Sequence, residues 1–398
     1  MVDAHAPVQQ ASDDALDIDK EAFMKEARQF INRELSWLKF NSRVLFEAVR
    51  HKNPTFEQAK FLSIVSSNLD EFFMVRVGKL ERLLDTGSME VDPSGLTPPM
   101  QLNLIRRAYA RQVKEQYQVY HKQLLPRLAA ARINILSLQD LDTKQRSWLS
   151  DYFDQQVMPV LTPRLINPAH PFPLLVAKRI YLAVHLQSDK GGLPQLSLVP
   201  VPDKLKRLVF LPQQDENTSG ILLEDIIMLH IDRMFPYQDP LGVLVFRVTR
   251  NTDFVIAIDN VENLIEEMRK SLKRRSYGKI VRIEVSGKGD ETIRQRLQNE
   301  LEANDEIVQE IDGPLDLRFL LRDLYSLEGF EDLRYTPFEP HVPLNFLADE
   351  SIFETIQRGD LLMHHPYDSF EPVLRFVREA ADDPGVLAIK QTLYRVDS

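Results

Sequence analysis

The chain has 398 residues, 43% hydrophobic and 27% charged, and 49 basic against 59 acidic side chains give a formal net charge of −10. Such a length holds roughly two or three domains with a sizeable core, and the acidic balance argues against a bulk nucleic-acid binder. With no cysteine there are no disulfides, thiolate metal sites or cysteine nucleophile, a count that fits a reducing compartment; no apolar run approaches the ~20 residues of a membrane helix, and the acidic first 20 residues are not a signal peptide.

Residues 1–22 are small, polar and acidic, and are predicted to be a disordered tail. From Phe23 to about residue 129 the pattern is helical. Asn41 or Ser42 is a candidate cap for the helix containing Val44, Leu45 and Phe46. Pro54 fits the start of the next helix. In that helix the stretch FLSIVSSNLDEFFMVRVGKL (61–80) places Leu62, Val65, Leu69, Phe72, Phe73 and Leu80 on one apolar face. Its centre, Ser66-Ser67-Asn68-Leu69-Asp70, breaks the helical rule, because Ser, Asn and Asp side chains compete for the backbone. Two readings fit the break. One is a boundary with Asn68 as N-cap, which composition slightly favours; the other is a ligand site. Gly87 to Pro99 reads as a loop, and a long helix from Met100 to Leu125 follows, with Leu104, Ala108, Val113, Tyr117, Tyr120 and Leu124 on one side. These helices predict a bundle.

Residues 130–343 are predicted to be a mixed α+β head domain, built mostly of hairpins and covering helices. Helices are expected at 143–156, 221–234, 261–275 and 291–301. Strands are expected at 179–185, 196–200, 207–211, 243–248, 254–258 and 279–285, and a Pro-rich loop at 162–173. From 344 a third unit opens, with helices at 352–358 and 371–381 around the loop MHHPYDSF. The apolar run 386–396 reads as a buried α/β strand. A strand without neighbours cannot satisfy its ladder, so the sequence reads as cut inside a domain.

The local glycine motifs for nucleotides are absent: Gly287-Lys288-Gly289 lacks the rest of a phosphate loop. His364 and His365 are adjacent, so in extended chain they point apart. A loop pair flanking Pro366 is favoured over a nucleophile or ligand pair, and packing roles are favoured for Tyr367 and Phe370. The densest basic cluster is Arg269, Lys270, Lys273, Arg274, Arg275, Lys279 and Arg282. It suits a polyanion or anionic lipid, and it equally suits a solvated helix end. Lys204, Lys206 and Arg207 carry the same two readings. Arg395, at the end of the last run, is placed where open α/β sheets bind ligands and offers a fork for phosphate.

The stretches INRELSWLKFNSRVLFEA (31–48), FLSIVSSNLDEFFMVRVGKL (61–80), MHHPYDSF (363–370) and VLAIKQTLYRV (386–396) resemble the first family of polyphosphate kinases, in the family's order. The resemblance implies a multidomain α+β fold. It comprises a helical N-terminal domain (23–129), a head domain (130–343) and the start of a phospholipase D-like α/β catalytic domain (344–398). It implies reversible transfer of the ATP γ-phosphoryl to inorganic polyphosphate through a phosphohistidine, with Mg²⁺. By position Asn68 matches the family's ATP-contacting asparagine, and an amide can both donate to and accept from an adenine edge. Arg395 matches the first of two arginines of the phosphate and Mg²⁺ site. An arginine ligates no cation, so its task is to hold phosphate oxygens beside the metal. The second arginine, the phosphohistidine, its partner histidine and the nucleotide-stacking tyrosine have no counterpart up to Ser398, and the motif context does not transfer the nucleophile to His364 or His365. The 398-residue polypeptide is therefore expected to be inactive alone. The resemblance further implies ATP, ADP and polyphosphate as partners, a homodimer or homotetramer, cytoplasmic location with peripheral membrane association open, and no nucleic-acid partner. The alternative is a non-catalytic module for polyanion or nucleotide binding or for oligomerisation.

Overall fold

The computed structural model describes residues 29–166, 172–187, 194–213, 216–252, 278–287, 289–343, 346 and 350–392. The expected tail at 1–22, strand at 254–258, helix at 261–275 and the end of the last run lie outside them. The chain divides into two compact units, with the boundary between Arg334 and Tyr335.

The first helix, α1, runs from Arg33 to Val49. Its cap is Asn32, whose Oδ1 accepts from the backbone N–H of Glu34 (3.1 Å) and Leu35 (2.9 Å). The expected caps Asn41 and Ser42 lie mid-helix instead. Asn32 satisfies the free N–H groups of the first turn, so the helix needs no second start. α2 spans Thr55–Phe72 behind Pro54. It passes through a π turn at Phe73–Val77 into α3, Gly78–Asp85. Asn68 is thus inside a helix and caps nothing. The apolar stripe is as expected: Leu62, Val65, Leu69, Phe72, Phe73 and Leu80 are all buried. Gly78 is required by close approach, since a Cβ there would lie 2.6 Å from the Cβ of Asn251.

α4, Pro98–Val119, continues through a π turn at Tyr120–Leu124 into α5, Leu125–Ala130. Its buried stripe is Leu102, Ile105, Tyr109, Val113 and Tyr117, while Leu104 is exposed. β1 (Ile133–Leu136), β5 (Leu208–Phe210) and β6 (Thr218–Leu222) make a three-stranded sheet in the order β1-β6-β5. α6 (Thr143–Tyr152) starts in a capping box from Asp142 and Gln145. The helix expected at 221–234 begins later, as α7 (Leu223–Leu229) and α8 (Ile231–Met234), because Ile221 and Leu222 are still pairing in β6.

The larger sheet has the order β2-β4-β3-β7-β8-β9, from β2 (Arg164–Ile166), β3 (Ile180–Leu186), β4 (Gln195–Pro200), β7 (Pro240–Arg250), β8 (Ile280–Ser286) and β9 (Val308–Ile311). β2 interrupts the expected Pro-rich loop. Each sheet contains one parallel pair, β1 with β6 and β8 with β9, within the domain expected to be built mostly of hairpins. Alternation along β3 sends Leu182 and Val184 into the core shared with the helices, and Tyr181 and Ala183 into a second cluster under α9, Glu291–Glu300. Successive strand residues face opposite sides, so this sheet is covered on both faces.

The second unit contains α10 (Ile352–Arg358) and α11 (Glu371–Asp382), joined by a T-shaped contact of Phe353 with Phe376 at 5.7 Å. Val386–Thr392, the described part of the expected buried strand, forms no strand, and Leu387 is 98% exposed. Among the described residues no strand lies beside it, and an apolar run gains extended ladder structure only from a partner.

Candidate functional site

The break in α2 resolves into three separate tasks. Ser66 is buried and its Oγ accepts from Gln116 Nε2 of α4 at 3.1 Å. The same Nε2 donates to the Leu62 carbonyl at 3.1 Å. Asp70 points toward the sheet and is 1% exposed. Asn68, two residues from each, faces the other side of the helix, half-buried and bonded to Asn41 of α1.

Asn68 is the outer end of a chain of carboxamides. Its Nδ2 donates to Asn41 Oδ1 at 3.0 Å. Asn41 Nδ2 donates to Gln112 Oε1 at 3.0 Å and toward the Val65 carbonyl at 3.5 Å. Gln112 Nε2 donates to the Leu38 carbonyl at 3.1 Å and to Ser42 Oγ at 2.6 Å. Asn41 and Gln112 are 0% and 3% exposed. Three helices are therefore tied at one point, and among the described residues Asn68 Oδ1 has no protein donor. Close by, Trp37 of α1 stacks on Phe72 at 4.6 Å and 14°.

Asp70 anchors a buried charge cluster. Arg247 of β7 contacts its carboxylate at 3.0 Å and 3.2 Å, Arg282 of β8 binds it from Nη2, and Arg318 lies 3.8 Å away. Glu284 meets Arg247 at 2.5 Å, and Asp316 pairs with Arg318 at 2.5 Å and 2.7 Å. Arg282 also sits over the rings of Phe73 (4.7 Å) and Tyr109 (5.6 Å). Burial pushes the Asp70 carboxyl up, but the guanidinium groups of Arg247 and Arg282 outweigh it and hold the group below its ordinary value. Asp316 is likewise held low, with Arg247 and Arg318 overcoming burial. Three guanidinium groups thus meet three carboxylates in a low-dielectric setting. Of this set the sequence singled out Asp70, as part of the helix break, and Arg282, for a different role. The available signal was a charge at the inward position of an apolar strand, as in Val245-Phe246-Arg247-Val248-Thr249 and Arg282-Ile283-Glu284-Val285.

The basic groups fare differently from their surface reading. Arg282 is 2% exposed and belongs to the buried cluster. Lys279 pairs with Asp85 at 2.7 Å and Glu81 at 3.5 Å. Neither is a free arm for a polyanion, because each charge is already matched within the chain. Arg207 is likewise held by Glu224 and by the carbonyls of Leu315 and Asp316, while Lys204 and Lys206 are exposed. Arg269, Lys270, Lys273, Arg274, Arg275 and Arg395 lie outside the described residues.

His364 and His365 do form a loop pair, on a turn in which the His364 N–H donates to Asp368 Oδ2 at 2.6 Å. His364 packs on Tyr367 at 5.0 Å and His365 on Phe370 at 5.2 Å. The two rings engage different partners. Among the described residues no group of three or more His, Asp or Glu side chains is placed to hold a metal ion. The expected Mg²⁺ therefore has no ligand set among the described residues. Two cavities of the larger unit, about 590 Å³ beside Arg250 and Lys279 and about 380 Å³ beside His121 and Asp225, are not lined by Asn68.

Family models match nearly the whole described chain. They are the polyphosphate kinase N-terminal domain over residues 30–136, the middle domain over 144–322 and C-terminal domain 1 over 351–398. The polyphosphate kinase of Halalkalibacterium halodurans is 40% identical over 386 residues, covering 96% of this chain and 54% of that protein. That of Bacillus cereus is 42% identical over 380 residues, covering 94% and 54%. The crystal structure of polyphosphate kinase from Porphyromonas gingivalis superposes with a TM-score of 0.73 at 27% identity, over 89% of this chain and 50% of that one. The chain spans about half the length of the curated relatives it matches.

Proposed function

This chain belongs to the polyphosphate kinase family, and from that premise we propose that it serves the reversible transfer of the ATP γ-phosphoryl group to the end of inorganic polyphosphate. In this reading Asn68 holds the adenine end of ATP. The supporting observation is its carboxamide, fixed from inside by Asn41, with Oδ1 left to a ligand. Phosphoryl transfer depends on positioning and charge neutralisation more than on covalent machinery. A rigid amide at the far end of the nucleotide supplies positioning.

The remaining parts of the proposal come from the family resemblance. A phosphohistidine would divide transfer between two anions into two steps. No residue of this chain is assigned that role, because His364 and His365 are engaged in their turn, and the 398-residue polypeptide alone is proposed to be inactive. Arg395 would grip phosphate oxygens. Mg²⁺ would neutralise phosphate charge, with ligands other than the described residues. The cationic run from Arg269 to Arg275 would guide polyphosphate toward the site. The unit from about residue 344 would begin a phospholipase D-like catalytic domain. A homodimer or homotetramer in the cytoplasm completes the reading.

Asn68→Ala in the full-length protein is expected to raise KM for ATP about tenfold, the loss of one to two hydrogen bonds, with kcat little changed. An unaltered KM would remove Asn68 from the nucleotide site. Retarded migration of polyphosphate by this chain, unaffected by Lys273, Arg274 and Arg275 all changed to Ala, would remove the cationic run from the proposal.

A further inference from the structure

The carboxamide chain has a direction, and backbone carbonyls set it. The Leu38 carbonyl can only accept, so the end of Gln112 that faces it at 3.1 Å must be the NH₂ group. Gln112 then turns Oε1 toward Asn41. Asn41 must answer with its own NH₂, and the Val65 carbonyl 3.5 Å from the same nitrogen agrees with that orientation. Both N–H groups of Asn41 and both of Gln112 are thereby committed. Asn41 Oδ1 is left to face Asn68, so Asn68 spends one N–H inward and presents Oδ1 outward. Reversing Asn68 would set oxygen against oxygen. Reversing all three would set an oxygen against the Leu38 carbonyl and another against the Val65 carbonyl, inside a buried site where an unmatched acceptor is costly.

We propose that Gln112 and Asn41 are positioning residues that lock the Asn68 amide with its acceptor outward, and that this lock makes the site select a 6-aminopurine over a 6-oxopurine. The proposal rests on Asn68 being at the nucleotide site. A free carboxamide is tolerant, because rotation by half a turn exchanges its donor and acceptor. A locked one is not. Adenine offers a donor at position 6 beside the acceptors N1 and N7. Hypoxanthine offers an acceptor at position 6 and a donor at N1, which reverses that order. With Oδ1 fixed outward, the 6-amino group finds its acceptor and the 6-oxo group meets a second oxygen. A site that hydrogen-bonds one pattern rejects its opposite because the mismatch leaves buried groups unpaired.

The test is the ratio of KM for inosine triphosphate to KM for ATP, measured on the full-length protein. Wild type is expected to show a ratio of about ten or more, the worth of one matched against one mismatched hydrogen bond. Asn41→Leu frees Asn68 to rotate. It should bring the ratio toward unity, chiefly by lowering KM for inosine triphosphate, with kcat nearly unchanged. Asn41→Asp should keep the ratio, because a buried protonated carboxyl still accepts from Asn68 and donates to Gln112. Gln112→Met removes the carbonyl-set polarity from behind and should act as Asn41→Leu does, so it decides the matter if Asn41→Leu does not fold. A wild-type ratio near unity would overturn the proposal. So would an unchanged ratio in the Leu or Met variant, or a ratio lost equally in Asn41→Asp. Asn68→Ala separates the two layers. If it leaves KM for both triphosphates unchanged, the nucleotide reading itself fails; if it raises KM for ATP while Asn41→Leu leaves the ratio intact, only the lock fails.

Discussion

Replacing Asp70 by Asn keeps the shape of the side chain and removes one negative charge from beneath the helix break. Asp70 is 1% exposed, and its partners Arg247 and Arg282 are each 2% exposed. In the wild type Asp70, Glu284 and Asp316 face Arg247, Arg282 and Arg318, so the charges of the cluster balance. In the variant one guanidinium is left without a counter-charge and cannot shed its proton. Orphaning a buried charge in this way costs about 3–5 kcal/mol, a large share of the 5–15 kcal/mol typical of a whole fold. The number measures the stranded arginine and not the worth of the pair. Urea-induced unfolding of the 398-residue chain at pH 7 provides the assay, with the loss read from the shift in midpoint. The acid limb provides a second readout. The folded Asp70 carboxyl lies below its ordinary value, so its stabilisation is present above the unfolded pKa of about 3.9 and is lost as pH falls through the folded one. Asp70→Asn lacks this group, so the gap between wild type and variant should narrow in acid. A loss of less than about 1 kcal/mol at pH 7, the scale of an exposed pair, would refute the cluster as a clamp between helices and sheet.

Two further outcomes follow from the same geometry. Asn32→Ala removes the cap of α1 and should cost about 1 kcal/mol, visible as a lower thermal midpoint; an unchanged midpoint would mean that the first turn is satisfied in another way. Lys279→Met breaks the contacts with Asp85 and Glu81, but Lys279 is about half exposed. Its loss should therefore cost well under 1 kcal/mol and vanish in high salt, and a cost comparable to Asp70→Asn would contradict that reading.

The fold was legible where periodicity was long. The apolar stripe of α2 and the strands β3, β4 and β7 follow from spacing alone, since burial of one face needs no knowledge of the partner. It was less legible where an element is defined by what it meets. β6 pairs with β1 across the 81 residues between Leu136 and Thr218, with Leu136 against Ile221 at one end and Ile133 against Thr218 at the other, and no local pattern in Thr218–Leu222 announces that. The run Val386–Thr392 shows the converse: it has the composition of a buried strand, and without a neighbour it makes none. The cap of α1 was misplaced because Asn41 and Ser42 look like caps by type. Asn41 is instead an interior amide, whose two N–H groups are spent on Gln112 and Val65.

The break at Ser66–Asp70 carries the argument furthest. A run of polar residues in an apolar helix can signal an end or a site, and here it signals neither alone. Successive residues turn by about 100° around a helix, so Asn68 faces α1 on the side away from Ser66 and Asp70, which share a face one turn apart and meet α4 and the sheet. Ser66 and Asp70 are consumed by packing, one through a hydroxyl and one through a charge. Only Asn68 reaches a margin where one end of its side chain is spent on the protein and the other is not. A sequence can report that several surfaces converge on such a stretch, because each convergence costs a helix-breaking residue. It cannot report which residue remains open to a ligand, because that depends on Gln112 and Leu38, both far along the chain or buried behind it. The site is read from the direction of the amide chain that ends at Asn68.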